Sequence, residues 1–221
     1  MKRYIAILVA ALMAIAASAQ DVVRLGFYHD ANIALGAPSK GEKRIVLIGD
    51  SITEGWGTHA GEFFTDGRIC RGISGEVTAQ MLLRFRQDVI DLKPKKVVIL
   101  AGTNDIALNL GAYNEDYTFG NIVSMVELAK AHKIKVVLCS VTPASSFRWR
   151  PEVKDGPEKI TALNARLQAY AKANHITYVN YYDALLDEDG RSLRADLSPD
   201  GVHPNHAGYE IMASILLKAL K

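Results

Sequence analysis

Four almost uninterrupted apolar runs, with a shorter and more polar one among them, constrain what this chain can fold into. The four are 44–48, 97–101, 136–141 and 176–180, and the polar one is 67–71. Continuous apolar runs rich in β-branched residues read as strands buried on both faces. Between them lie stretches of helical period over 78–92, 113–132, 157–175 and 206–220. In the first, Met81, Leu82, Phe85, Val89 and Leu92 recur on one side. Asn205 is placed to cap the last. Strands that alternate with helices predict an α/β domain built as a three-layer α/β/α sandwich. Its centre is a five-stranded parallel sheet with helices on both sides, in the flavodoxin-like order 2-1-3-4-5.

The 221 residues suffice for one domain with a full core. Lys2 and Arg3 precede an apolar stretch over 4–17 and the triplet Ala17-Ser18-Ala19. That pattern is expected of a signal peptide over 1–19, cleaved after Ala19, and so of export to a periplasm or beyond. An uncleaved anchor is the alternative; the run is short for a membrane span. Residues 20–221 then form a single domain, with 20–43 as an N-terminal extension packed on it. The formal charge of +2 falls to about zero without Lys2 and Arg3, which leaves no basic field for nucleic acid or anionic lipid. Cys70 and Cys139 fall on strands 2 and 4. Those strands lie several spacings apart in the expected order, so two buried thiols are expected rather than a disulfide.

In a parallel sheet every strand's carboxyl end lies on one rim. Ser51 follows strand 1 there, either as a nucleophile or as the cap of the next helix. Gly72 and Gly75 follow strand 2, and Gly102-Thr103-Asn104-Asp105 follows strand 3. Asp200 and His203 precede the last helix. Acyl transfer needs this set. His203 can take the Ser51 proton, and Asp200 can hold the other imidazole nitrogen. The N–H groups of Ser51 and Gly75 and the Asn104 amide can stabilise an oxyanion. His203 taken alone reads more readily as a structural residue in a turn; it is the other three blocks on the rim that reverse this.

These residues carry a resemblance to the GDSL, or SGNH, hydrolases, running from about residue 43 to the C-terminus. Its four blocks correspond to Gly49-Asp50-Ser51-Ile52-Thr53, Arg71-Gly72-Ile73-Ser74-Gly75, Gly102-Thr103-Asn104-Asp105 and Asp200-Gly201-Val202-His203-Pro204-Asn205. Isoleucine replaces the leucine of the family's name. The resemblance implies Ser51 as nucleophile, His203 as base, Asp200 as triad acid, and Ser51, Gly75 and Asn104 as oxyanion donors. It implies no metal and no organic cofactor.

The remaining candidates stay open between two readings. Trp149, Arg148 and Arg150 in the loop over 142–156 either line the substrate or belong to a surface loop pinned by one buried aromatic. Trp56, in the glycine-rich segment 54–58 expected as a loop, shares that ambiguity. Asp50 and Asp105 read as structural, and the other histidines show no metal-ligand spacing; among them only His59 is placed to reach the cleft mouth. The expected function is an exported esterase of short acyl esters, with carbohydrate O-deacetylation foremost. A lysophospholipase or thioesterase-type acylhydrolase is the alternative, and a non-catalytic carbohydrate binder the competing class. The expected partner is a small-molecule or glycan ester, with no nucleic acid and no integral membrane segment after cleavage. Oligomeric state is not encoded legibly.

Overall fold

The computed structural model describes residues 23–221; the expected signal peptide and its cleavage site lie outside them. The chain divides into two compact units at Gly36. The described part of the first is a turn over 23–28 and helix α1, His29–Leu35, which carries no buried residue.

The second unit holds the sheet. Its strands are β1 (Ile45–Gly49), β2 (Arg68–Gly72), β3 (Lys96–Leu100), β4 (Lys135–Cys139) and β5 (Thr177–Val179). They run in the order β2-β1-β3-β4-β5, and every pairing is parallel. The helices are α2 (Ser51–His59), α3 (Thr78–Phe85), α4 (Thr103–Ile106), α5 (Glu115–Ala131), α6 (Gly156–Ala173), α7 (Tyr182–Leu185) and α8 (His206–Ala219). Alternate strand residues serve the two faces. Leu47, Val98, Leu100, Val137, Cys139 and Val179 join Ile52 and Trp56 of α2 and Tyr209, Met212 and Leu216 of α8 in one core cluster. Val46, Ile48, Val97, Ile99 and Leu138 alternate with these along the strands and are equally buried. Helices α3, α5 and α6 pack in series, and Met81, Met125 and Leu163 among their residues are buried. The result is the three-layer α/β/α sandwich.

Three local expectations change. The segment 54–58 is helix, not loop. Asp50 caps α2 by accepting from the Ile52 N–H at 2.9 Å, and Ile52 and Trp56 anchor one face of the helix in the core. Gly55 is tolerated inside it because the Tyr209 hydroxyl comes so close that a Cβ would sit 2.8 Å from it. The helix expected over 78–92 is α-helical only to Phe85 and continues as a π-helical turn, Arg86–Ile90. Neither cysteine forms a disulfide, but only Cys139 is fully buried. Burial pushes the Cys139 thiol up to about 12. Cys70 is half-buried, and its Sγ donates to the Thr53 carbonyl at 3.3 Å.

Candidate active site

Strand β1 delivers Ser51 as the first residue of α2. A first-turn N–H has no intrahelical acceptor, and the helix dipole adds partial positive charge there. The Ser51 hydroxyl meets His203 Nε2 at 2.8 Å. His203 Nδ1 meets Asp200 Oδ2 at 2.7 Å. The other Asp200 oxygen accepts the backbone N–H groups of His203 (2.8 Å) and Val202 (2.9 Å). Partial burial pushes the Asp200 carboxyl up, but these N–H groups and the imidazole outweigh it and hold it at about 2. An ionised carboxylate only accepts, so Nδ1 carries the proton and Nε2 is left to accept from the serine. The loop is braced by Ser198, whose Oγ donates to the His203 carbonyl at 2.8 Å and accepts from the Gly201 N–H at 2.9 Å. Such a chain can draw a proton from a hydroxyl and later return it to a leaving group.

Gly75 takes a positive φ of 82°, a conformation that glycine adopts without a Cβ penalty. Its carbonyl accepts from Asn109 Nδ2 at 3.2 Å. The same nitrogen donates to Asn104 Oδ1 at 2.7 Å, so one amide ties the two expected oxyanion residues together. Asn104 is buried and donates from Nδ2 to the Glu76 carbonyl at 3.0 Å. Asp105 accepts from the Thr78 N–H (2.9 Å) and from the hydroxyls of Thr78 (2.6 Å) and Thr118 (3.2 Å), which fastens the β3 loop to the start of α3. Burial raises the Asp105 carboxyl, and the threonine donors oppose that. Burial likewise pushes Asp50 up to about 7, against the Ile52 N–H and the nearby imidazole.

The loop over 142–156 divides its roles. Phe147 is buried and pins it. Trp149 is 40% exposed, and its ring centroid lies 6.1 Å from that of His203. Arg148 donates to the Pro199 carbonyl at 3.3 Å, one residue before Asp200. Arg150 is engaged with Glu152 at 3.8 Å. Trp56 is the clear correction. It is 1% exposed, stacked on Phe63 and Tyr209, and lines no cleft. It follows Ser51 by five residues, but the intervening turn of helix carries it into the core. His59 ends the same helix, about 12 Å of rise from Ser51, where its carbonyl faces His206 Nδ1 at 2.8 Å.

Sequence reasoning missed four supporting residues. Glu54 accepts from the Ser74 N–H at 2.6 Å and from its hydroxyl, holding the β2 loop against α2. Arg84, Asn109 and Ser198 are the others. Arg84 leaves a trace, since a charged residue lies beside Phe85 and three after Met81 on an apolar face. Asn109 and Ser198 are ordinary polar loop residues without a signal. Among the described residues, no group of three or more His, Cys, Asp or Glu side chains could hold a metal ion. No described helix is long and apolar enough to cross a membrane.

The parallel sheet with a Ser–His–Asp chain on its carboxyl rim defines a hydrolase-like α/β class. Residues 47–211 match the GDSL-like Lipase/Acylhydrolase family, and the chain belongs to it. That family is one of ester-bond hydrolases. The chain is similar to a GDSL-like lipase of Bacteroides thetaiotaomicron VPI-5482, with 55% identity and a TM-score of 0.88 over 90% of this chain and 97% of that one. It is also similar to a candidate acylhydrolase of Bacteroides fragilis NCTC 9343, at 51% identity and TM-score 0.88 over 90% and 96%. An acetylxylan esterase of Xylanibacter ruminicola is 24% identical over 225 residues, 85% of this chain and 45% of that protein. The chain spans about half the length of the curated relatives it matches, 45% and 53%.

Proposed function

We propose that this protein is an exported serine esterase that removes short acyl groups, foremost acetyl groups on carbohydrate. The observation that carries the reading is the continuous chain from Ser51 Oγ through His203 to Asp200, at 2.8 and 2.7 Å. Ser51 attacks the ester carbonyl carbon while His203 Nε2 takes its proton. The tetrahedral oxyanion accepts from the N–H groups of Ser51 and Gly75 and from Asn104 Nδ2. Collapse breaks the bond to the alcohol, which leaves with the proton held on Nε2. Water then attacks the acyl-enzyme, gives a proton to His203, and releases the carboxylic acid as Ser51 recovers its own.

The carbohydrate preference rests on the exposed face of Trp149 beside His203, which suits stacking on a sugar ring. The polar groups around it, Asn109 and Arg148, suit hydroxyls better than an acyl tail. The likeness to an acetylxylan esterase supports the same choice. Export rests on the composition of residues 1–19.

Hydrolysis of 4-nitrophenyl acetate by wild type, Ser51→Ala and His203→Ala tests the central claim. The two variants should retain less than about one part in 10³ of the wild-type kcat; equal rates in all three overturn it. Acetylated xylo-oligosaccharide should be deacetylated faster than 4-nitrophenyl octanoate is cleaved, and the reverse order points to a lipid substrate. Cell fractionation with intact-mass measurement should find a chain that begins at Gln20.

A further inference from the structure

Trp149 ends a hydrogen-bonded chain that runs into the proposed oxyanion site. Its Nε1–H donates to Asn109 Oδ1 at 2.8 Å. Asn109 Nδ2 donates to Asn104 Oδ1 at 2.7 Å and to the Gly75 carbonyl at 3.2 Å. Asn104 Nδ2 donates to the Glu76 carbonyl at 3.0 Å. The direction of this chain follows from its ends. An indole nitrogen only donates, and a peptide carbonyl only accepts. Asn109 must therefore turn Oδ1 to Trp149 and Nδ2 to Asn104, and Asn104 must answer with Oδ1. Both side-chain N–H bonds of Asn104 then lie on Nδ2, on the far side of the amide from Asn109. One goes to Glu76, and the second is left for a developing oxyanion. Reversing the Asn104 amide would set NH₂ against NH₂ at Asn109 and oxygen against oxygen at Glu76.

We propose that Asn109 is a positioning residue that fixes the Asn104 amide as an oxyanion donor, and that Trp149, together with the Gly75 carbonyl, sets the direction of Asn109 from the substrate loop. The inference rests on the serine-esterase reading above. It gives Trp149 two tasks at two parts of one side chain. The ring face walls the alcohol side of the ester, while the N–H edge governs a donor used in the transition state. The loop is held for this between Phe147 in the core and the contact of Arg148 with Pro199. It thereby links the short helix α4 that carries Asn104 to the loop that carries Asp200.

Trp149→Phe tests the proposal, because it keeps an aromatic ring at an exposed position and removes only the donor. With 4-nitrophenyl acetate, kcat should fall about 3- to 10-fold, the worth of one neutral hydrogen bond, with KM held within about twofold. Asn109→Ala should lower kcat about 10- to 100-fold, approaching the loss of an oxyanion donor. In an Asn104→Ala background, each substitution should change kcat by less than about twofold, because residues acting through one group are non-additive. A raised KM with unchanged kcat in Trp149→Phe overturns the proposal and leaves a wall only. Full multiplicative losses in the Asn104→Ala background overturn it as well. Ser51→Ala measured alongside separates the two levels. A dead Ser51→Ala with wild-type kcat in Trp149→Phe and Asn109→Ala sinks the positioning claim alone, whereas an active Ser51→Ala sinks the esterase reading itself.

Discussion

The Arg84 guanidinium donates to the carbonyl oxygen of Gly49 at 3.1 Å, so a wholly buried cation holds the peptide two residues before Ser51. The same Nη2 donates to the Arg71 carbonyl at 3.0 Å. Nε pairs with Glu76 at 2.6 Å and Nη1 with Asp88 at 3.1 Å. One side chain thus joins the carboxyl ends of β1 and β2, where Ser51 and Gly75 originate. Arg84→Ala strips the buried acids of this cation and should cost about 3–5 kcal/mol in urea unfolding. Arg84→Lys keeps the charge but cannot span these partners, and should recover only part of that stability. A loss under about 1 kcal/mol in Arg84→Ala would falsify the bracing role.

Asp200 should act through its charge more than through its shape. Asp200→Asn keeps its oxygen for the backbone N–H groups and so turns its NH₂, a donor, to His203 Nδ1, which forces the wrong imidazole tautomer. Turnover should drop about 10³–10⁴-fold with the fold intact. The folded carboxyl titrates at about 2, below its unfolded value of 3.8. Its stabilisation is therefore complete above the unfolded value and is lost as pH falls through about 2. The gap in unfolding midpoint between wild type and variant should close toward pH 2, and a gap that persists there contradicts the account.

Asp50 carries the opposite sign. Burial places its folded pKa at about 7 against 3.8 unfolded. Between those values the folded chain retains a proton that the unfolded chain has lost, so stability from this group declines as pH rises across the window. Asp50→Asn keeps an oxygen for the Ile52 N–H and carries no charge to bury. The variant should gain on wild type between pH 5 and pH 8 by about 5–10 °C in Tm, the scale of about 2–3 kcal/mol in a domain of this size. Calorimetry at both pH values checks it, and a pH-independent difference argues against a titrating Asp50.

Trp56 should matter to stability and not to substrate. Trp56→Ala removes a ring packed between Phe63 and Tyr209 and should cost about 3–5 kcal/mol. The milder Trp56→Phe should leave KM for 4-nitrophenyl acetate within about twofold. A KM several times higher with unchanged stability would return Trp56 to the cleft.

The strand order was legible because an apolar run flanked by amphipathic stretches has few places to go except a covered parallel sheet. The four motif blocks were legible for a related reason: the carboxyl ends of parallel strands share a rim, so topology alone gathers Ser51, Gly75, Asn104, Asp200 and His203. The misreadings are local. Gly55 and Gly57 suggested a loop, yet the Asp50 cap and the burial of Ile52 and Trp56 make helix the lower-energy state there. Spacing placed Trp56 near the nucleophile, but helical rotation decides which way a side chain five residues on will face.

What the sequence determined by itself is the periodicity, the order of elements and the residue types that reach the rim, since these depend on patterns within each segment. The tertiary structure alone decided the bonds between segments distant along the chain. Arg84 reaches Gly49 across 35 residues and Trp149 reaches Asn109 across 40. A hydrogen bond needs its atoms within about 3 Å and well aligned, and neither condition leaves a mark in the local sequence of an ordinary arginine or asparagine.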